Sequence, residues 1–273
     1  MNETLTTSLV ATLVLAGVFA QPWPREVIGE RMPGFRSFVS FAAGISLAYV
    51  FIDLLPELSG MGDELLLEEA VALPFPEYVV YMAALFGFVL FYGLERLVRW
   101  HHPEAKRDRT GAKDEVRAAV VGEGLGAPPI EEGADGAEER IDYRIKLVGL
   151  GAYACLILYL MTAGIREGSE EGLVAYVIAM AFHFVATRHG LRYEFPEPYM
   201  RSGRWIMAGL CVAGAALGLM MELSIGAEVL LLGFLGGMLI MNTTVMELPS
   251  EKEGRFGMFA LGAALYAALL MVA

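Results

Sequence analysis

The chain has 273 residues, of which 56% are hydrophobic and 19% are charged, and its net charge is −12. A soluble domain of this size has about a quarter of its residues charged, so the composition argues against a soluble globular protein. The acidic balance argues against a nucleic-acid-binding protein. Its two cysteines both lie in apolar runs and give no sign of a disulfide framework.

Eight uncharged, apolar runs follow one another along the chain, each close to the ~20 residues that span the hydrocarbon of a bilayer. None carries the polar stripe that a helix on the surface of a soluble protein needs. The first run resembles a signal peptide but has no Lys or Arg before it, so we expect it to stay uncleaved. The sequence therefore predicts an all-α membrane protein with eight transmembrane helices, at residues 5–20, 37–52, 78–94, 147–165, 172–187, 205–221, 229–246 and 256–273.

The charges predict how these helices are oriented. With the N-terminus outside, every Lys and Arg except Arg166 falls in segments on the inner side, and the outer segments are acidic. Lys and Arg mark cytoplasmic loops, so we expect both termini to be extracytoplasmic, in the plasma (inner) membrane. Residues 1–100 then hold helices one to three, and residues 144–273 hold helices four to eight. Between them, residues 101–143 form a cytoplasmic loop rich in Gly, Pro and acids, for which we expect disorder.

Two apolar segments resemble each other and cross the membrane in opposite directions. These are residues 41–57, FAAGISLAYVFIDLLPE, and residues 234–250, FLGGMLIMNTTVMELPS. The shared residues are Phe41 and Phe234, Gly44 and Gly237, Leu55 and Leu248, and Pro56 and Pro249. Such a relation is typical of inverted-repeat transporters, whose site lies between the two halves.

Small residues four apart occur twice in the second half of the chain, as Gly214 and Gly218 and as Gly233 and Gly237. Such pairs let membrane helices approach closely. The pattern leaves open whether they form a dimer interface or pack within one bundle.

Polar residues inside the predicted spans form helical stripes in four helices. Polar groups are costly in hydrocarbon and usually face the interior of a bundle, so the stripes predict one shared interior. Their members are Ser46, Tyr49 and Asp53; Cys155, Tyr159 and Thr162; Tyr176, Met180, His183 and Thr187; and Asn242, Thr243, Thr244 and Glu247. His183 is the deepest ionisable group, and it is either a hydrogen-bonded packing residue or a proton carrier or metal ligand. Arg188, five residues later, is expected to anchor the helix at the inner surface or to act in the pathway.

With these features the chain resembles the ZIP (Zrt-, Irt-like) metal transporter family. The resemblance rests on eight spans with both termini outside, a long inner loop after the third span, the inverted repeat, and the ending FIDLLPE of the second span. The family's second span typically ends Phe-Leu-His-Leu-Leu-Pro-Glu, so Asp53 stands where a His is usual. The resemblance implies a 3+2+3 inverted-repeat bundle, a homodimer, and a metal site on the fourth and fifth spans.

The family's metal ligands are mostly replaced in this chain. The family's fifth span reads His-Glu-x-Pro-x-Glu; here His183 is kept, while Phe184 and Arg188 stand where the two Glu ligands are expected. The fourth span has no His, Asn, Asp or Glu at residues 147–165, and Tyr153 or Cys155 stands nearest to the expected ligands. A divalent cation in a dry site needs several anionic or imidazole ligands. We therefore expect the ZIP fold without the standard binuclear site.

Two functions remain open on these grounds. The first is a transporter of a metal cation or another small solute, with a divalent metal held at a sparse site. Candidate ligands are His183, Cys155, Asp53 and Asn242, and candidate pathway or gate residues are Tyr49, Tyr153, Tyr159, Thr187, Arg188 and Glu247. The second is a non-transporting ZIP-like sensor or partner subunit, with Arg188 locking the interior. An enzyme is not expected, since the sequence has no phosphate-binding loop, zinc-protease motif or nucleophile elbow.

The predicted orientation can be tested by cysteine labelling. In a Cys155→Ala, Cys211→Ala background, Asn2→Cys and Ala273→Cys should react with a membrane-impermeant maleimide from outside intact cells. Ala105→Cys should react only after the membrane is opened. Labelling of the two termini from opposite sides would contradict an even number of spans.

Overall fold

A computed structural model describes residues 2–21, 33–60, 76–100, 132–168, 172–247 and 255–271. Within these residues the chain is helical, with no strand, and the all-α prediction is confirmed. Helices satisfy every backbone hydrogen bond locally, which hydrocarbon surroundings require. The long helices are α1 (Asn2–Ala20), α2 (Pro33–Tyr49), α3 (Pro76–Trp100), α4 (Glu132–Glu167), α5 (Leu173–Glu194), α6 (Arg204–Met220), α7 (Ile225–Met241) and α8 (Phe256–Leu270).

Six of the helical segments are long and apolar enough to cross a membrane, which makes the chain a multi-pass membrane protein. They are Ser37–Gly60, Tyr78–Val98, Arg140–Glu167, Leu173–Glu194, Pro196–Met220 and Ile225–Thr244. The first and last predicted spans correspond to shorter apolar helices, Thr4–Ala20 and Phe256–Leu270. Large apolar side chains such as Met82 and Phe86 of α3 point out of the bundle, as lipid-facing residues do.

The fourth helix begins earlier than predicted. α4 starts at Glu132, so the last part of the expected disordered loop 101–143 is helical instead, and residues 101–131 lie outside the described part. Lys146 of α4 is buried and forms ion pairs with Glu95 of α3, at 3.3 Å, and with Glu194 of α5. These ion pairs join α4 to α3 and α5 just beyond that segment.

Helices α2 and α8 pack with their backbones almost in contact. A Cβ atom added at Gly44 would overlap the carbonyl oxygen of Phe259, and one added at Gly262 would overlap that of Phe41. Only a residue without a side chain permits this approach.

Helices α3 and α7 pack in the same manner. A Cβ atom at Gly237 would overlap the Ala84 carbonyl oxygen, and one at Gly87 would overlap that of Phe234. The other glycine motif, Gly214 and Gly218 of α6, lies against carbonyl oxygens of α4. Both predicted motifs thus pack helices within one chain.

Two of the helices end in a π-helical turn. α2 continues as Val50–Leu54 and α7 as Asn242–Glu247, and in the sequence a proline follows each within two residues. Proline has no N–H and its ring crowds the carbonyl four residues earlier, and a wider turn relieves both effects. A third π-helical segment, Tyr199–Gly203, follows Pro196–Pro198 and leads into α6.

Replacing Gly237 with alanine should destabilise the protein, because its methyl group has no space beside the Ala84 carbonyl. We expect a loss of about 1–3 kcal/mol, the usual cost of overpacking. Gly209→Ala in α6 is the control, because its Cβ would meet nothing within 4 Å and alanine favours the helix. Thermal unfolding of the purified variants in detergent measures both effects, and equal Tm values would contradict this packing.

Candidate functional site

A polar cluster lies at the centre of the bundle, around His183 of α5. The side chain is fully buried, and its Nε2 lies 2.8 Å from the Tyr153 hydroxyl oxygen of α4 and 3.5 Å from Nδ2 of Asn242. Asn242 also donates to the hydroxyl of Thr187, one turn after His183, at 3.3 Å. Both the hydroxyl and the amide can donate, which suits an imidazole whose Nε2 accepts. The structure thus brings together four of the predicted site residues.

Aromatic rings enclose this cluster on the remaining sides. The Phe91 ring of α3 lies 5.5 Å from that of Tyr153, and Phe184 lies 6.0 Å from His183 and 4.8 Å from Phe19 of α1. The cluster is therefore shielded from lipid by four helices, and its hydrogen bonds lie in a low-dielectric setting.

Above the cluster, towards the end where α4 finishes and α5 begins, is a cavity of about 390 Å³ between α2, α4, α5 and α7. Asp53 and Glu57 line it from α2, together with Tyr49, and Tyr176 and Met180 line it from α5. Met180 is one helical turn before His183, so the cavity ends about one turn above the cluster. The predicted stripe of α5 is confirmed, since it runs from this cavity to the cluster.

The predicted stripe of α4 does not face this interior. Cys155 and Tyr159 line an apolar groove of about 560 Å³ with Leu210 of α6, and Thr162 donates to the Ala215 carbonyl of α6 at 3.1 Å. Tyr153 is the α4 residue that faces His183, and a separation of two residues turns a side chain to the opposite face of a helix. Cys155 is thus not a ligand beside His183. Asp53 is not a ligand beside His183 either, because it lines the cavity.

Arg188 is buried, with 4% of its surface exposed, at the opposite end of the bundle from the cavity. Its Nη2 donates to the carbonyl oxygen of Gln21, directly after α1, at 2.5 Å. It also interacts with Tyr199, whose hydroxyl lies 3.4 Å from the Phe19 carbonyl. The guanidinium therefore satisfies the carbonyl end of α1 rather than reaching out to lipid headgroups.

Arg166, the one basic residue on the predicted outer side, has a matching role that sequence reasoning missed. Its Nη1 donates to the carbonyl oxygens of Gly218, at 2.8 Å, and Met221, at 2.5 Å, at the end of α6. Its Nη2 lies 3.8 Å from Glu228 and 3.1 Å from Glu167. Its break with the charge pattern was the signal that could have identified it.

Of the remaining predicted residues, Ser46 and Thr244 form hydrogen bonds within their own helices, and Glu247 is only partly included in the described part of the chain. Ser46 donates to the carbonyl of Ala42 in its own helix, at 3.2 Å, and Thr244 donates to that of Ile240 at 2.6 Å. Glu247 ends the π-helical turn after α7, and its side chain lies outside the described part.

The donors of the central cluster do not fit a resident divalent metal. One imidazole, one amide and two hydroxyls are weak or neutral ligands, whereas such ions are held by carboxylates, thiolates or several imidazoles. In the described part of the chain, no three His, Cys, Asp or Glu residues are grouped to hold a metal ion. The cluster is suited instead to hydrogen bonding, with each polar group facing another.

No protein-family model, curated protein or solved structure matches this chain.

Tyr153→Phe should destabilise the protein, because it removes the 2.8 Å hydrogen bond between the Tyr153 hydroxyl and His183 Nε2. The buried Nε2 then loses a hydrogen-bond partner. Loss of one partner of a buried bond costs about 1–3 kcal/mol. At about 2–4 °C per kcal/mol the Tm should fall by several degrees. Tyr92→Phe is the control, since Tyr92 is 42% exposed. Equal Tm values for the two variants would show that the His183 contact adds nothing to stability.

Proposed function

We propose that this chain is a ZIP-like membrane transporter in the plasma (inner) membrane. It moves a metal cation or another small solute from one side of the membrane to the other. The observation behind this proposal is the cavity lined by Asp53 and Glu57, which ends one turn above the His183 cluster. With both termini extracytoplasmic, the cavity opens to the outside. The solute passes from it to the cluster and then between the inner ends of α1, α5 and α6.

The glycine contacts support the inverted repeat that the proposal needs. Gly44 and Phe41 of α2 correspond to Gly237 and Phe234 of α7 in the two similar segments, with one constant offset. Their partners on α8 and α3 also share one offset, with Gly262 matching Gly87 and Phe259 matching Ala84. The two contacts between α2 and α8 are thus equivalent to the two contacts between α7 and α3. In this relation α2 corresponds to α7, and α8 corresponds to α3.

The π-helical turns support the same relation. They follow α2 and α7 at equivalent distances from Gly44 and Gly237, and each comes directly before a Leu-Pro pair in the sequence. Tyr49 and Asn242 are equivalent residues at these turns, and both border the interior. Interrupted helices beside the site are typical of inverted-repeat transporters.

The two arginines at helix ends extend the relation to the remaining helices. Arg188 of α5 binds the carbonyl end of α1, and Arg166 of α4 binds that of α6. An axis that exchanges α1 with α6 and α4 with α5 makes these two contacts equivalent. All eight helices then belong to one 3+2+3 scheme in which α1 and α8 also span the membrane. The homodimer that the ZIP resemblance implies is part of the proposal.

On this proposal, the polar contacts at the inner end belong to an outward-facing state of the transport cycle. On that side, Arg188 joins α5 to α1, and Lys146 of α4 joins Glu95 and Glu194 of α3 and α5. Solute release to the inside requires these contacts to separate, which explains why they are polar rather than tightly packed apolar residues.

A second candidate function is a sensor or partner subunit without transport. The observation that favours it is the central cluster itself, in which hydrogen bonds link Tyr153, His183, Asn242 and Thr187 to one another. On this view the cavity binds a ligand from outside, and Arg188 holds the interior closed.

Uptake into proteoliposomes separates the two candidates. With the purified protein we expect saturable uptake of Zn²⁺, Mn²⁺ or a small organic solute, because the cavity leads to the cluster. His183→Ala should reduce the rate at least tenfold. His189→Ala, on the same helix but outside the cluster, should leave the rate unchanged.

Bound metal is measured on the same samples by mass spectrometry. Stoichiometric metal that is lost in His183→Ala would support a metal cargo at a sparse site. No uptake of any tested metal or solute would contradict transport and support the second candidate.

A further inference from the structure

The outer cavity has a chemistry that identifies a class of ligand. We propose that it is a binding site for a small organic ammonium ion, which is the solute that the proposed transporter takes up from outside. The inference rests on the proposed function for this role, but binding can be measured without transport.

Two carboxylates give the cavity its charge. Asp53 and Glu57 are one helical turn apart on α2, so their side chains lie on one face, and both line the cavity. Among the lining residues that the structure describes there is no Lys, Arg or His. Neither acid has an ion pair within the described part of the chain, so a cation would be the counter-ion of both.

An unpartnered hydroxyl on a buried side chain points to the same ligand independently of the acids. Tyr49 lines the cavity with 3% of its surface exposed, and within the described residues its hydroxyl has no hydrogen bond. A buried polar group of this kind usually has a partner. The N–H of an ammonium group bound between Asp53 and Tyr49 would supply it.

Two aromatic rings complete the polar end of the cavity. Tyr49 and Tyr176 have ring centroids 5.7 Å apart and planes at 77°, so they present surfaces at nearly a right angle. Aromatic faces arranged around a small volume attract ammonium groups by the cation–π interaction. This arrangement binds a cation whether or not it carries N–H groups.

The rest of the wall distinguishes an organic cation from a metal ion. The sides contributed by α4 and α7 are apolar and include Ile157, Leu160, Leu235 and Leu239. The volume of about 390 Å³ lies in the range of ~300–1,000 Å³ typical of small-molecule sites. A divalent ion instead needs about six oxygen ligands around a small volume. The hydrocarbon part of an amine fits the apolar wall while its charge meets Asp53 and Glu57.

Isothermal titration of the purified, full-length protein with benzylammonium and tetramethylammonium tests the site. Both probes should bind saturably, and Asp53→Asn or Glu57→Gln should weaken both at least tenfold. Glu222→Gln is the matched control, because Glu222 is an exposed acid that does not line the cavity. It should leave both affinities unchanged.

Tyr49 variants separate its two contributions. Tyr49→Phe keeps the ring, so tetramethylammonium, which has no N–H, should bind as before. Benzylammonium should lose about tenfold in affinity, as expected for loss of one hydrogen bond to a charged group. Tyr49→Leu removes the ring and should weaken both probes. These variants keep the test valid even if a change at Asp53 impairs folding, which a Tm measurement would detect.

Three results would overturn the proposal: no saturable binding of either probe, equal weakening by Glu222→Gln, or tight Mn²⁺ binding that displaces both probes. The transport proposal is tested separately. Ammonium binding without uptake would contradict only the transport role, and uptake of another solute without ammonium binding would contradict only this inference.

Discussion

The structure depends on one constraint, which is that hydrocarbon offers no hydrogen-bond partner to a polar group. Buried polar side chains are therefore mostly matched from within the protein, with Ser8 and Thr243 among the exceptions in the described part of the chain. His183 has Tyr153 and Asn242, and the guanidinium groups of Arg166 and Arg188 lie on the carbonyl ends of α6 and α1. The cavity is the contrasting case, because Asp53 and the Tyr49 hydroxyl have no such match. This lack of partners is one basis for the ligand that we propose to bind there.

Lipid also removes the usual driving force for helix association, since lipid tails are as apolar as leucine. Close packing must then hold the bundle together. The glycines of α2, α3, α7 and α8 serve this purpose by letting backbone touch backbone. If the chain is the proposed transporter, these closely packed pairs are the contacts we expect to stay fixed, and the polar contacts at the bundle ends are those we expect to separate.

Much of this architecture could be predicted from the sequence. Uncharged runs located the helices, and the α5 stripe lies inside the bundle as expected, with Tyr176 and Met180 at the cavity and His183 and Thr187 in the cluster. The α4 stripe failed because periodicity shows that residues share a face but not which neighbour the face meets. Cys155 therefore lies against α6, while Tyr153 reaches His183. The early start of α4 was missed because residues 132–143 contain Gly and several acids, a composition that predicts a loop.

The π-helical turn after α2 has a geometric consequence for the acids beyond it. One additional residue in a turn advances the rotational phase of everything that follows by about 100°. Asp53 and Glu57 belong to or follow that turn, so the azimuth at which they project is set by the bulge. Pro56, which favours the bulge and itself lines the cavity, thus contributes to the direction in which the two carboxylates project.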